Sequence, residues 1–341
     1  MSADPLPARQ HYVAFRARAP LQIDGVMADA EWGAVQWTEL FVDIEGDKQP
    51  KPRLATRAKM QWDNQYFYIA AEMKEPHLWG TLTKRDSVIF HDNDFEVFID
   101  PDGDTHDYYE LEVNALGTEW DLLLERPYRD GAPALHEFDT PGLLSAVHLN
   151  GTLNTPSDVD DSWTIEIAIP FASLAAFAGR PVPPAGGDVW WVNFSRVQWK
   201  LDVVDGGYRK RCDSEGRELR EDNWVWSPQG VIAMHEPESW GLVQFEDAIA
   251  SGDTSLADPF RLPADLWQRY LLREIYDTQK AYRSAHETFF DSTEELSEVL
   301  RKQCEEGGYE LSLFTTPSMF EARLKHRATG VLRVNHEGHI W

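Results

Sequence analysis

Through the first 247 residues apolar and polar side chains alternate with a period of two, and this excludes most architectures. Phe95, Val97 and Ile99 alternate with Glu96, Phe98 and Asp100. Tyr109, Leu111 and Val113 alternate with Glu110, Glu112 and Asn114. Trp163, Ile165, Ile167 and Ile169 alternate with Thr164, Glu166 and Ala168, and Trp190, Val192 and Phe194 with Trp191, Asn193 and Ser195. A strand turns successive side chains to opposite faces, so each run offers one face to a core. Lys59–Trp62 and Tyr66–Ala70 flank Asp63-Asn64-Gln65, the signature of a hairpin. No strand–helix–strand rhythm appears, which argues against a parallel sheet. The pattern predicts an all-β antiparallel β-sandwich, jelly-roll or immunoglobulin-like, over residues 1–247.

The period then changes. Residues 248–263 are polar and contain Gly and Pro, and read as a linker. From Ala264 onward Trp267, Leu271, Ile275, Tyr282, Ala285 and Phe289 recur at helical steps. Ser292 followed by Glu295 forms a capping box, predicting a second helix from near Thr293, and Gly307-Gly308 stops it. Residues 309–314, 319–325 and 331–334 read as short antiparallel strands. The expectation for residues 264–341 is an α+β appendage whose helix face needs an apolar partner, either its own small sheet or another molecule.

The net charge of −26 repels phosphate backbones and anionic lipid, so nucleic acid and membrane surfaces are excluded as partners. No apolar run approaches the ~18 residues of a membrane span. Met1–Gln10 has no apolar signal core, which predicts a cytoplasmic protein by default, or a secreted or periplasmic one if this is a mature form. Cys212 and Cys304 read as unpaired thiols.

Two local features carry chemistry. In the stretch 92–104, two acidic turns bracket one strand, with Asp100, Asp102 and Asp104 at two-residue steps around Gly103. Hard oxygen donors at that spacing suit Ca²⁺. The loop is no EF-hand, since Leu111 stands where a bidentate Glu belongs, and an Asx-rich turn without metal explains the same residues. The second feature is tryptophan, at 14 residues. Trp62, Trp163 and Trp190 follow the strand alternation and read as core. Trp224, Trp226 and Trp240 lie in Gly/Pro-punctuated sequence, where a loop indole either folds back on the sandwich or offers a flat face to a sugar ring.

Five segments in order resemble the family-nine carbohydrate-binding modules over residues 15–246. They are Leu21-Gln22-Ile23-Asp24-Gly25 with Asp29-Ala30-Glu31-Trp32, then Trp62–Tyr68, Asp94–Asp100, Trp163–Pro170, and Asn193-Phe194-Ser195-Arg196. The resemblance implies a calcium-bearing β-sandwich that clamps a sugar end between two aromatics, without catalysis, in the service of polysaccharide utilisation. Carried over by position, Phe90 and Trp226 are the clamp, and Glu96 and Asn114 bond sugar hydroxyls. Arg196 and Gln198 are added because their strand enters the same end of the sandwich. Candidate calcium ligands are Asp92, Asp94, Asp100, Asp102 and Asp104. The expected partner is an oligosaccharide or a polysaccharide chain end. The chain departs from the family at Glu112, where a basic residue is expected, and at Phe90, where Trp is expected.

Three other readings stay open on the sequence. Glu96 and Glu112 could form a glycosidase pair. Met60, Met73, Met234 and His235 could serve as axial ligands to haem b in a related sandwich. The chain could also be a structural or protein-binding sandwich with no sugar ligand.

Overall fold

The period-two runs fold as strands. The computed structural model describes residues 9–131, 133–250 and 260–341. It places β1 at His11–Arg16, β2 at Thr56–Trp62, β3 at Tyr66–Lys74, β4 at Asp94–Asp100, β5 at Tyr108–Asn114 and β6 at Glu119–Leu124. Then follow β7 at Leu144–Asn150, β8 at Ser162–Pro170, β9 at Val189–Gln198, β10 at Asp222–Val225 and β11 at Gly241–Ile249. With the short strands Val42–Asp43 and Ala134–Leu135 they form one thirteen-stranded sheet. Its main path runs β6-β5-β4-β9-β11-β1-β2-β3-β8-β7, while β10 pairs with β9 and with Val42–Asp43. The sheet folds over at β1, so that its two halves pack face to face.

The expectation of a wholly antiparallel sandwich needs one correction. Strand β1 runs parallel to both of its neighbours, aligning His11 with Leu242 and Phe15 with Gln61. The register with β11 slips between Phe15 and Arg16, the irregularity that lets one strand serve both halves. Period two reports which face is buried and is silent on strand direction.

Between the halves lies an aromatic core. Trp62 meets Phe245 edge-on at 5.5 Å, and Trp190 lies 4.8 Å from the same ring. Phe95, Val97 and Ile99 of β4 and Tyr109, Leu111 and Val113 of β5 join it, as the alternation predicts. The hairpin closes as expected, with Asp63 Oδ1 accepting the N–H groups of Gln65 and Tyr66 at 2.7 and 2.8 Å. Trp224 and Trp226 also belong to this core, and Trp240 is buried beside Phe98 on the other face. None of the three offers an exposed ring.

The entry segment is held by one carboxylate. Glu166 Oε2 accepts the N–H groups of Asp24 and Gly25 at 2.9 and 2.7 Å. Gly25 has φ +81°, and a Cβ there would sit 2.7 Å from the backbone of His148. Both the positive φ and the close approach demand glycine.

The C-terminal region contains α1 (Leu266–His286), α2 (Glu298–Glu306) and a sheet of β12 (Glu310–Thr315), β13 (Phe320–His326) and β14 (Gly330–Asn335). Leu271, Leu272, Ile275 and Tyr276 of α1 pack on Phe320, Ala322, Leu324 and Val334. The apolar partner that the helix face needs is therefore within the chain. Ala285 is exposed, and Phe289 packs inward from beyond the helix end. The predicted capping box resolves into two caps: Ser292 accepts from Glu294 N on a single 3₁₀ turn, and Ser297 accepts from Leu300 N where α2 begins. The region also touches the sandwich. Leu266 packs in one cluster with Trp191 and Trp240, and Asp130 accepts from the Tyr276 hydroxyl and Lys280 Nζ, both at 2.6 Å. Most of the expected linker, residues 251–259, lies outside the described residues. Cys212 and Cys304 are free thiols. No described helix is long and apolar enough to cross a membrane.

Candidate functional site

On the outer face of β4, β5 and β6 the same alternation lays down an unusual surface. In register, Asp94 faces Asn114, Glu96 faces Glu112, and Phe98 faces Glu110. On the next strand Glu112 faces Trp120 and Glu110 faces Leu122. Directly paired residues project to one side, so carboxylates and aromatic rings share one floor. Phe90, Tyr128 and His235 wall this floor, which forms a cleft of about 220 Å³.

The floor is buried and poorly compensated. Glu96, Glu110 and Glu112 are each at most 5% exposed. Glu112 accepts the Phe90 N–H at 2.9 Å, and His235 Nδ1 pairs with the Tyr108 hydroxyl at 2.9 Å. Glu110 Oε2, Trp120 Nε1 and Asp94 Oδ2 are buried with no hydrogen-bond partner. Orphaned buried polar atoms are costly, and at a cleft floor they are what a ligand satisfies. Burial pushes Glu96 up to about 7. Burial, then repulsion from Glu96, holds Glu110, Glu112 and Asp94 well above the carboxylate range. Burial, with Arg129 nearby, drops His235 to about 3, so its ring is neutral.

Of the sequence candidates, Phe90 and Glu96 line the cleft. Asn114 lies behind it. Its Nδ2 donates to Leu82 O and Asp92 Oδ2 at 2.9 and 3.0 Å, and its Oδ1 accepts from Leu116 N and Thr118 N. It builds the turn that supports β5. Arg196 and Gln198 require correction. Ser195 pairs with Glu96 and shares its face, so its neighbour Arg196 points the opposite way. The Arg196 guanidinium donates to Thr56 Oγ1, Lys74 O and Glu75 at 3.0, 2.9 and 3.0 Å and to Gln198 Oε1, bracing the two halves of the sheet. Trp226 also requires correction as a clamp. It is 1% exposed, and its ring lies 5.7 Å from Phe194 in the core. Residues that sequence reasoning left out of the binding set are Glu110, Glu112, Trp120 and Tyr128. Glu110 and Glu112 share the polar face of their strand with Asn114, a signal that alternation carries, whereas Tyr128 comes from a turn with no periodic signal.

The acidic stretch divides between the two ends of β4. Asp92 is consumed by structure, accepting from Thr81 N, Leu82 N and Thr81 Oγ1 at 2.7, 2.8 and 2.8 Å. Asp94 joins Glu96 and Glu112 at the cleft, their oxygens within 4.8 Å of one another. About 20 Å away along the strand, Asp100, Asp102 and Asp104 present oxygens within the same distance of each other. Burial, then Asp104, pushes Asp102 up to about 6. Asp100 shapes the turn by accepting from Gly103 N and Thr105 N at 2.8 and 3.0 Å, and Asp104 Oδ2 pairs with His339 Nε2 at 2.8 Å. Three hard oxygen donors held together at one turn form a group that could hold a metal ion.

Glu96 and Glu112 approach the cleft from adjacent strands and from one side. They do not flank a bond as glycosidase carboxylates must. Met60 and Met73 lie in the inter-sheet core, whereas Met234 and His235 line the cleft on the outer face, so the haem candidates are separated by the sheet.

A family model described as "Carbohydrate family 9 binding domain-like" matches residues 23–248. A Bacteroides uniformis structure described as a candidate carbohydrate-binding protein is similar at 17% identity and a TM-score of 0.50, covering 70% of this chain and 100% of that one. A family 9 module from Caldicellulosiruptor kristjanssonii, solved with glucose, is similar at 16% identity and a TM-score of 0.45, covering 73% of this chain and 100% of its own. The same organism's family 9 module with cellotriose aligns at 15% identity and a TM-score of 0.44, over 74% of this chain and 100% of its own. No curated protein matches the chain.

Proposed function

The chain belongs to the carbohydrate family 9 binding domain-like family, and from that premise we propose that it binds a single sugar ring at a chain end, in the cleft over β4–β6, without cleaving it. The observation that carries this reading is the pairing of aromatic walls with orphaned acceptors and donors on one buried floor. Phe90 and Tyr128 offer apolar faces to a pyranose, while Glu96, Glu110 and Glu112 accept from its hydroxyls and Trp120 Nε1 donates. At about 220 Å³ the cleft lies below the ~300–1,000 Å³ of drug-sized sites, which favours a terminal ring over a chain interior. Calcium at Asp100, Asp102 and Asp104 would stiffen the turn after β4 and take no part in binding.

Isothermal titration with soluble mono- and oligosaccharides, on the full chain and on Phe90→Ala, tests the proposal. Binding that saturates at one site and weakens in the variant supports it. Release of reducing sugar, or no binding to any glycan across an array, overturns it.

A further inference from the structure

The charge of the cleft narrows the ligand class. Glu96, Glu110, Glu112 and Glu221 line it, and the one cation among its lining residues is Arg220, exposed at the rim beside Glu221. Hydroxyl recognition needs donors as well as acceptors, since each sugar hydroxyl does both. This floor is carboxyl-rich, and a cation seated beside these carboxyls favours their ionised, acceptor form. Two unpartnered buried polar atoms also point to a bound group, one of them on a residue outside the acidic set. Glu110, 4% exposed, keeps Oε2 unpartnered, and Trp120, 6% exposed, keeps Nε1 unpartnered. Phe90, Phe98, Trp120 and Tyr128 surround the carboxylates with rings.

Carboxylates among aromatic faces form a receptor for an organic ammonium, which donates charge-assisted hydrogen bonds to the carboxylates on one side and gains cation–π attraction from the rings on the other. A bare divalent cation wants an all-oxygen shell in a tight cage. The cleft is too roomy and too aromatic for that, and Glu110 lies outside the Asp94–Glu96–Glu112 group that could chelate. We infer that the ligand is an amino sugar with a free, protonated amine, such as the glucosamine end of a deacetylated chitin-like chain, its ammonium seated over Glu110 and Glu112. The inference rests on the sugar-binding reading and specifies the substrate class of the same cleft.

Titration of the full chain in an amine-free buffer at pH 7 tests it, with glucosamine, glucose, N-acetylglucosamine, methylammonium and calcium chloride as separate probes. Glucosamine should bind at least tenfold more tightly than glucose, about 1.4 kcal/mol. N-acetylglucosamine, which lacks the charge, should lose that gain. In Glu110→Gln and Glu112→Gln the glucosamine-to-glucose preference should fall toward one. Each variant keeps the side-chain shape and replaces a carboxyl that burial already disfavours as an ion, so both fold, and a thermal melt checks it. Equal binding of glucose and glucosamine overturns the charge inference while leaving the sugar reading standing. Methylammonium binding with no response to any sugar overturns both. Calcium that stabilises the wild type but not Glu112→Gln assigns the charge to a metal and overturns the amine.

Discussion

The indole Nε1 of Trp32 donates to Glu166 Oε1 at 2.6 Å, across 134 residues of sequence. The other oxygen of that carboxylate holds the backbone of Asp24 and Gly25. One buried acceptor thus ties both the Asp24-Gly25 turn and Trp32 of the entry segment to the middle of β8. Glu166→Ala orphans three donors and is expected to cost about 2–4 kcal/mol of stability. Urea unfolding would measure it. A loss below about 1 kcal/mol would show that water replaces the carboxylate at no cost.

The two aromatics expected as a clamp should separate cleanly on mutation. Trp226→Ala empties core volume and is expected to cost about 3–5 kcal/mol. Trp226→Phe, a milder change, should leave sugar affinity within about twofold, because position 226 faces away from the cleft. Phe90→Ala should weaken sugar binding roughly tenfold, a loss of about 1.4 kcal/mol of ring contact, with a near-native melting temperature. Paired titration and melting curves distinguish these outcomes, and a large affinity loss in Trp226→Phe would contradict the placement.

Stability should depend on pH through Glu96. Burial raises it from an ordinary 4.5 to about 7. Between those values the folded protein keeps a proton that the unfolded chain has released. That contribution is fully present below pH 4.5 and is lost as pH rises through 7. Glu96→Gln should therefore raise the melting temperature at pH 8 and leave it nearly unchanged at pH 4. An equal effect at both pH values would show that the carboxyl is not desolvated.

Calcium should stabilise through the turn after β4. Millimolar calcium added to chelator-treated protein is expected to raise the melting temperature by about 5 °C or more. The gain should be larger at pH 8 than at pH 5, because Asp102, pushed up to about 6, must ionise to bind. Asp102→Asn should abolish the response. A response that survives Asp102→Asn but is lost in Asp94→Asn would move the metal to the cleft.

Much of this protein was legible before folding. Alternation assigned the inward faces of β4, β5, β8 and β9, because a strand has only two faces and the apolar one must be buried. It placed Glu96 on the polar face of one strand and Glu110 and Glu112 on the polar face of another, and the Asp63 turn, the helical stripe of Leu271 and Ile275, and the three C-terminal strands all follow from local chemistry. What the sequence left open depends on contacts distant along the chain. The parallel course of β1 is decided by where β11 and β2 end up, not by its own residues. Trp226, on a turn-rich segment, reads equally as exposed or buried until Gly241 opens a space in which any Cβ would strike its ring at 2.5 Å. Arg196 reads as a ligand-binding cation until the second half of the sheet brings Thr56 and Glu75 to its guanidinium. The cleft exists only because turns carrying Phe90, Tyr128 and His235, far apart in sequence, converge over a floor that local periodicity had already made acidic. Periodicity determines faces, whereas convergence of loops is set by the global packing of the strands that carry them.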